Sequence, residues 1–334
     1  MDDLLLDSFV RLLDNVSTPA AVRRAEKTGD AAEIQSAIEE SGFLDALVPE
    51  EKGGAGLALT DMVPLFLAAG ERLLPVPFAE TIVARALIAR AGGSAPSGQP
   101  ILLWPATADG RLRSQAPPLG IQSALALVQQ GETFSLVPTS IVAPSGDPFR
   151  MTTATPDLMA EPLFGFTAPG VDLLDWAAAI TAGNMAGAMG RVLAMSLAHV
   201  NERQQFGRSL GKFQAIQQQL SVVAEKTVSA QVAARIGLSG AGIRPDRCRV
   251  AIAKSVANEA AEKSAAVAHA VHGAIGISEE HDLQLYTRRL KRWQVSFGSE
   301  AYWARHIGVA RLAMVEGTSV DFVRAHLADP APAD

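Results

Sequence analysis

The chain has 334 residues, of which 48% are apolar and 19% are charged, and its formal net charge is −6. A chain of this length has room for two or three structural units around a sizeable core. The overall charge is acidic and the basic residues are scattered, so we predict no nucleic-acid partner. The one exception to that scatter is the group Arg288, Arg289, Lys291 and Arg292.

Cysteine and histidine usage argues against a disulfide or a metal site. Cys248 is the only cysteine, which rules out an intrachain disulfide and a cysteine-rich metal site. The histidines lack metal-ligand spacing, so we predict no bound metal. They are His199, His269, His272, His281, His306 and His326.

The apolar pattern predicts a soluble, cytoplasmic protein without a membrane partner. The first sixteen residues, MDDLLLDSFVRLLDNV, are acidic and amphipathic, unlike a signal or transit peptide. No uncharged apolar run approaches the roughly 18 residues that a membrane-spanning helix needs.

Residues 1–95 are predicted to form an N-terminal helical domain. Leu4, Leu5, Phe9, Leu12 and Leu13 recur at helical spacing, and residues 32–43 form a second amphipathic run. Residues 48–56 (VPEEKGGAG) predict an irregular loop. Residues 60–61 (Thr-Asp) are then expected to cap a helix that ends before the prolines at 75 and 77.

Residues 96–170 change character and are predicted to form a small β domain. Proline, glycine, serine and threonine become more frequent, and short apolar runs at 101–104, 124–128 and 133–137 predict strands.

Residues 171–334 return to long helical patterns and are predicted to form a helical bundle. The expected helices are 173–202, 211–239, 245–271, 279–296 and 299–327, with a clear break at 242–246 (GIRPD). The first of these is rich in alanine and glycine, which favours close packing of backbones. The chain is therefore expected to be mainly α, with a four- or five-helix bundle at its C-terminal end.

The stretch at 202–220, ERQQFGRSLGKFQAIQQQL, carries the most specific chemistry of the chain. Arg203 offers a planar, permanently charged fork that suits a pyrophosphate, and Gln214 can both donate to and accept from an adenine edge. Gly207 and Gly211 interrupt the helical pattern between them. The plain alternative is a surface arginine at a helix end beside a polar run of glutamines.

This stretch resembles the signature at the start of the C-terminal helical domain of the acyl-CoA dehydrogenase family. The resemblance rests on the Arg-x-x-Phe-Gly tract at Arg203, Phe206 and Gly207 and on the Phe-Gln pair at 213–214. It implies that Arg203, Phe206 and Gln214 reach across a dimer interface to hold the FAD of a neighbouring subunit.

A glycine turn further along the chain extends the resemblance. His272, Gly273 and Gly276 resemble the family's His-Gly-Gly-x-Gly turn, whose backbone amides face the FAD pyrophosphate in the partner. The family's second glycine is Ala274 here and its upstream glutamine is Ala270, and both replacements weaken this side of the site. Ser299 stands at the threonine of the family's catalytic segment and completes the expected FAD-binding set.

The usual catalytic base is missing from that segment. The family's Tyr-Glu-Gly-Thr corresponds to residues 296–299 (Ser-Phe-Gly-Ser), so Phe297 occupies the position of the glutamate and cannot accept a proton. A second base position known in the family falls on Ala177, which is equally inert. We therefore predict no catalytic residue in this chain.

Two carboxylates remain as alternative bases. Asp175 lies two residues from Ala177, although a carboxylate near a helix N-terminus is more often a partner of the helix dipole. Glu316 begins a Glu-Gly-Thr tripeptide, but it lies nineteen residues after Phe297 and inside the last predicted helix.

The resemblance implies a fold with an N-terminal helical domain, a middle β domain and a C-terminal bundle. The β domain lacks the family's Thr-Glu-Pro-x-x-Gly-Ser-Asp loop and Trp-Ile-Thr-Asn-Gly strand, and it is short, so it is expected to be reduced. Some bacterial members that handle steroid side-chain CoA thioesters pair two different short subunits, only one of which carries the glutamate.

This chain is similar to the second kind of subunit, which lacks the glutamate. The implied reaction is α,β-desaturation of an acyl-CoA by a heterotetramer, with electrons passing to an electron-transfer flavoprotein. The alternatives are a self-sufficient homo-oligomeric dehydrogenase with an atypical base and a non-catalytic scaffold that has lost FAD.

Overall fold

The computed structural model describes residues 3–105, 121, 123–142 and 153–327. The chain divides into two compact units. The first contains Met1–Leu65, Leu74–Ile180 and Gly242–Arg244, and the second contains Phe66–Leu73, Thr181–Ala241 and Pro245–Asp334.

The first unit begins with short helices, in agreement with the helical prediction for the N-terminal region. They are α1 (Asp3–Val16), α2 (Pro19–Thr28), α3 (Ala32–Glu40), α4 (Met62–Glu71), which continues into the second unit, and α5 (Phe78–Arg90). The Phe9 ring packs against Phe43 and Phe78 with centroid distances of 4.8 Å to each. Buried Arg85 joins α5 to α3 through a 2.6 Å ion pair with Glu39.

The cap expected at residues 60–61 is provided by Asp61. Its carboxylate accepts a hydrogen bond from the Ala58 N–H at 3.1 Å, closing a single 3₁₀ turn, Leu59–Asp61, ahead of α4. Helix α4 then ends at Glu71, before the two prolines, as predicted.

A five-stranded sheet follows in the first unit. Its strands are β1 (Ile101–Trp104), β2 (Ala124–Gln130), β3 (Thr133–Val142), β4 (Thr153–Pro156) and β5 (Phe164–Thr167). β1 pairs parallel with β2, and β3 pairs antiparallel with β2, β4 and β5. The three predicted strands are present and two of them run longer than expected. β4 and β5 were not predicted, because neither four-residue segment is an apolar run.

Gln129 connects this sheet to the next helix. Its side-chain amide donates to the Val171 carbonyl at 2.8 Å, and its carbonyl oxygen accepts from the Leu173 N–H at 2.7 Å. Leu173 is the first residue of α6 (Leu173–Glu202), so one side chain of β2 sets where this 30-residue helix begins.

The second unit is the helical bundle. After α6 it contains α7 (Gln214–Gly237), α8 (Arg247–His272), α9 (Leu283–Val295), α10 (Glu300–Ala313) and α11 (Ser319–Leu327). Two-residue strands lie between the helices: β6 (Gln204–Gln205) and β7 (Arg208–Ser209) follow α6, and β8 (Gly240–Ala241) and β9 (Arg244–Pro245) follow α7. Helix α6 has the bounds that the sequence predicts, and the break at 242–246 is present.

The prediction of one helix over 299–327 is wrong. Helix α10 ends at Ala313 and α11 starts at Ser319, because Gly317 adopts a φ of +97°. Thr318 and Asp321 then cap α11 reciprocally. The Asp321 carboxylate accepts from the Thr318 N–H at 2.8 Å, and the Thr318 hydroxyl accepts from the Asp321 N–H at 3.3 Å.

Glycines allow the second half of α4 to cross α6 at backbone distance. A Cβ on Gly187 would lie 1.9 Å from the Leu67 carbonyl oxygen, and one on Gly70 would lie 2.0 Å from the Asn184 carbonyl oxygen. These glycines therefore permit the close packing of backbones that the alanine- and glycine-rich sequence of α6 predicts. No helix in the described part of the chain is long and apolar enough to cross a membrane.

Candidate functional site

The stretch singled out in the sequence forms a protruding arm, which we define as residues 203–214. β6 and β7 pair antiparallel in it, with Gln204 opposite Ser209 and Gln205 opposite Arg208. Phe206 and Gly207 make the two-residue turn with φ angles of +53° and +79°, the left-handed pair that a tight hairpin of type I′ requires.

Phe206 is strained and solvent-exposed at the tip of the arm. Non-glycine residues rarely adopt positive φ, and among the described residues only Leu73, Phe206 and Phe297 do so. The Phe206 side chain is 90% exposed. Backbone strain and an exposed aromatic ring on the same residue are typical of a ligand-binding or protein-binding surface.

The base of the arm is well anchored. The Arg203 N–H donates to the His199 carbonyl at 2.8 Å, and the Leu210 N–H donates to the Arg203 carbonyl at 2.9 Å. Gly211 lies so close to the end of α6 that a Cβ there would meet the Asn201 side-chain oxygen at 2.8 Å. Arg203 and Gln214 are thus exposed residues at the two ends of a fixed segment, not on one helix.

The second predicted element is the turn at Gly273–Ile277. Gly273 ends α8 with a φ of +63°, and its N–H donates to the His269 carbonyl. Gly276 is buried, and a Cβ on it would lie 2.9 Å from the His272 Cβ and 3.1 Å from Leu283. Both positions therefore require glycine, the first for backbone conformation and the second for space.

Histidines join the arm to this turn. The His199 ring, at the end of α6, stacks on the His272 ring with a centroid distance of 4.4 Å, and His281 meets His272 edge-on at 5.1 Å. Burial lowers the pKa of His272 to about 4, so the ring is neutral at physiological pH. The structure thus brings the base of the arm and the Gly273–Ile277 turn together.

The segment at the catalytic position is a rigid turn between α9 and α10. Phe297 has a φ of +55° and Gly298 one of +102°. The Trp303 indole N–H donates to the Phe297 carbonyl at 2.9 Å, and the Asn258 amide donates to the Gly298 carbonyl at 3.3 Å. The Ser299 hydroxyl accepts from the Tyr302 N–H at 3.3 Å and so caps α10.

Lys254 supports this turn and was missed by sequence reasoning. Its side chain is fully buried, and the amine donates to the Asn258 side-chain oxygen at 2.6 Å and to the Trp293 carbonyl at 2.9 Å. Burial lowers the pKa of Lys254 to about 7. The available signal was a lysine among alanines on the buried face of a helix, at Ala251, Ala253 and Ala257.

The predicted site residues therefore form two groups along α8. Arg203, Phe206, Gln214, Gly273 and Gly276 are associated with its C-terminal end, where His272 lies. Phe297 and Ser299 belong to the turn held by Asn258, fourteen residues earlier, which is roughly 20 Å along a helix.

The alternative bases occupy different environments. Asp175 is buried in the first turn of α6, in the first unit. Glu316 is exposed, and it lies in the connection between α10 and α11 rather than inside a helix, which corrects the expectation from sequence. Sequence reasoning also overlooked Glu80 on α5, where burial raises the carboxyl pKa to about 7.

No group of three or more metal-ligating side chains occurs among the residues that the structure describes.

Comparison with known proteins identifies this architecture. Residues 165–312 match the model of the acyl-CoA dehydrogenase C-terminal domain. The chain is 28% identical over 299 residues to the acyl-CoA dehydrogenase IpdE2 of Mycolicibacterium smegmatis, covering 86% of this chain and 91% of that protein.

Solved structures show the same fold. The ChsE4–ChsE5 complex of Mycobacterium tuberculosis contains a chain with a TM-score of 0.75 at 20% identity, covering 94% of this chain and 97% of that one. A chain of a steroid acyl-CoA dehydrogenase (ACAD), the G363A variant of Tcur3481–Tcur3483, has a TM-score of 0.76 at 22% identity. This match covers 92% of this chain and 97% of that one.

The fold and sequence together define an acyl-CoA dehydrogenase architecture, mainly helical with a small β region. By these matches the chain is similar to the acyl-CoA dehydrogenase family, whose members are FAD-binding oxidoreductases.

Proposed function

We propose that this chain is a subunit that contributes half of an FAD-containing composite site for the α,β-desaturation of an acyl-CoA thioester. The observation that carries the proposal is the separation of the two groups along α8. The arm is exposed and is associated with the C-terminal end of α8, whereas the turn at 296–299 is held by Asn258, which lies roughly 20 Å away along that helix. An arm in this position is suited to complete a site on a second subunit.

The residues of the arm and of the neighbouring turn fit FAD. Arg203 is exposed and forms no salt bridge with any described residue, so its fork is available to a pyrophosphate. Gln214 can pair with the adenine edge, and the exposed Gly273 lets a ligand approach the backbone, while the buried Gly276 allows the turn to pack against His272 and Leu283. When bound, FAD would supply the hydride acceptor of the reaction.

The proposed chemistry requires a base that this chain does not provide at the usual position. Removal of the proton next to the thioester carbonyl needs a carboxylate in a dry pocket. Phe297 offers only an aromatic ring on a rigid turn. We therefore assign the base to a second acyl-CoA dehydrogenase subunit in a heterotetramer.

The comparisons support the choice of partner and substrate. A similar fold occurs in a complex named for two proteins, ChsE4 and ChsE5, and another is described as a steroid ACAD. By analogy the substrate proposed here is a bulky acyl-CoA, and the electrons would pass to an electron-transfer flavoprotein.

Asp175 favours a second candidate function, a self-sufficient homo-oligomeric dehydrogenase. Its carboxyl group is buried, as a catalytic base in a dry site would be. Glu316 is less suited, because an exposed carboxylate lacks the desolvation that raises basicity.

Co-expression tests these functions against each other. The chain is purified alone and with the product of the neighbouring gene, and flavin absorption and acyl-CoA dehydrogenation are measured. Flavin and turnover only with the partner support the composite site. Robust turnover by the chain alone contradicts it and makes Asp175→Asn and Glu316→Gln the next variants. Absence of flavin in both preparations indicates a scaffold.

A further inference from the structure

We propose that Arg208 is a second phosphate-binding residue of the arm and that it forms, with Arg203, a two-arginine clamp for the phosphates of FAD. This inference rests on the proposed function and adds to it a residue that the family signature does not single out. Three features of the arm lead to it: the strand register, the packing of the Arg208 side chain and its missing counter-charge.

The register places both arginines on one face of the hairpin. Gln205 is paired with Arg208, and residues directly opposite in an antiparallel pair share a face. Arg203 directly precedes β6, and its carbonyl accepts from the Leu210 N–H at 2.9 Å, which continues the pairing of the hairpin by one position. Two residues before Gln205, Arg203 therefore lies at a position of the same face. Arg203 and Arg208 are then diagonal neighbours, roughly 7–8 Å apart at the backbone, within reach of adjacent phosphates.

The Arg208 side chain is held in place before any ligand binds. Its guanidinium carbon lies 4.1 Å from the centroid of the Phe213 ring, and Phe206 meets the same ring edge-on at 6.1 Å. Stacking uses the flat face of the guanidinium and leaves the N–H groups at its edge free to donate. A fixed side chain loses less entropy on binding than a mobile one.

No carboxylate among the described residues neutralises the positive charge of Arg208. Arg208 is exposed and forms no salt bridge with any described residue, and the same holds for Arg203. Two guanidinium groups on one face, neither paired with a described carboxylate and one of them packed on Phe213, are the donors that a pyrophosphate prefers. Gln214 follows Phe213 directly, so the proposed adenine contact lies next to the clamp.

The test measures binding by the protein purified with its partner subunit, after removal of flavin. Arg208→Leu removes the charge but keeps apolar cover over Phe213, and Arg208→Lys keeps the charge but loses the planar fork. Arg203→Ala reports on the proposed function, and Arg90→Leu, an exposed arginine at the end of α5, is the matched control. FAD and coenzyme A are titrated separately, because both carry phosphates.

We expect Arg208→Leu to weaken FAD binding about tenfold and to reduce its salt dependence, with a smaller loss for Arg208→Lys. Arg203→Ala should cost about tenfold to a hundredfold, and Arg90→Leu should have no effect. Circular dichroism should remain unchanged in all variants.

Several outcomes would overturn the clamp. If Arg208→Leu binds FAD as the unmutated protein does while Arg203→Ala fails, Arg208 only packs on Phe213 and the proposed function stands. If Arg208→Leu weakens coenzyme A binding but not FAD binding, the assignment to FAD is wrong. If the unmutated assembly binds no FAD at all, the proposed function itself fails.

Discussion

Single buried polar residues hold the arm and the turn that carries Phe297 in place. Lys254 lies in the interior of the bundle and supports the turn that carries Phe297, while His272 lies between the arm and the Gly273–Ile277 turn. Burial lowers the pKa of both residues. The free energy of unfolding that each residue contributes therefore depends on pH.

Replacing Lys254 by methionine should destabilise the protein. The substitution keeps the volume of the side chain but leaves the Asn258 side-chain oxygen without the Lys254 amine, and the Trp293 carbonyl keeps only the Ser296 N–H at 3.2 Å. We expect a loss of about 1–3 kcal/mol in the free energy of unfolding, measured by urea denaturation. Lys263→Met, at an exposed position of the same helix, is the control and should change little. Equal stability of the two variants would contradict the supporting role of Lys254.

Acidification should weaken the fold through His272. Its pKa is about 4 in the folded protein against an ordinary value of 6.5, so the unfolded chain binds more protons between these values. The contribution of His272 is therefore complete above pH 6.5 and is lost as the pH falls toward 4. Between pH 7 and pH 5 we expect a loss of about 2 kcal/mol from this residue. His272→Phe should remove that part of the pH dependence.

Glu80 provides a control of opposite sign. Its pKa is raised from 4.5 to about 7, so its contribution is present below pH 4.5 and is lost as the pH rises through 7. Glu80→Gln should therefore steepen the loss of stability on acidification, whereas His272→Phe should reduce it. Urea denaturation of both variants at pH 5 and pH 7 separates the two effects, and changes of the same sign would contradict the assignments.

Secondary-structure elements are positioned mainly by small residues and caps. The second half of α4 meets α6 at Gly70 and Gly187, where backbone atoms leave no room for a methyl group. Helix α11 starts where it does because Thr318 and Asp321 cap it after Gly317. The geometry of the bundle thus depends on positions that contribute almost no apolar area of their own.

Gly187→Ala should be strongly destabilising. The new Cβ would lie 1.9 Å from the Leu67 carbonyl oxygen, so α4 and α6 would have to separate. We expect a loss of about 3 kcal/mol, seen as a lower Tm. Gly190→Ala, one turn further along α6, meets only the Gln231 side chain at 3.5 Å. That control should be neutral or stabilising by up to about 1 kcal/mol, since alanine is the better helix former. A similar Tm loss in both variants would argue against the close crossing.

For the molecule as a whole, the exposed arm supports the proposed association with a second chain. The C-terminal helices also expose large apolar side chains, among them Val309, Leu312 and Val323. Exposed apolar groups of this kind are commonly covered by another subunit.

We expect the chain expressed alone to form a homodimer or a larger assembly through its C-terminal helices. Light scattering at micromolar concentration measures the mass directly, and a monomer would contradict the prediction. The same preparation should show negligible acyl-CoA dehydrogenation, because general-base assistance is typically worth about a hundredfold to ten-thousandfold.

Much of the architecture follows from local sequence pattern. Helix α6, the break at 242–246 and the interruption of the helices between Arg203 and Gln214 all follow from apolar periodicity and glycine placement, which act over a few residues. The arm could likewise be recognised as a unit from the spacing of its own residues. The resemblance to the acyl-CoA dehydrogenase family depends on the same local signals.

Other features depend on contacts between residues that are distant in sequence. Periodicity could not show that Lys254 reaches Trp293, that His199 stacks on His272, or that α8 separates the arm from the turn at Phe297. The split between α10 and α11 was overlooked as well, although Gly317 and the Thr318–Asp321 pair signal it in the sequence. A sequence pattern reports which face of an element is buried, whereas the partner that covers this face is chosen by packing of the whole chain.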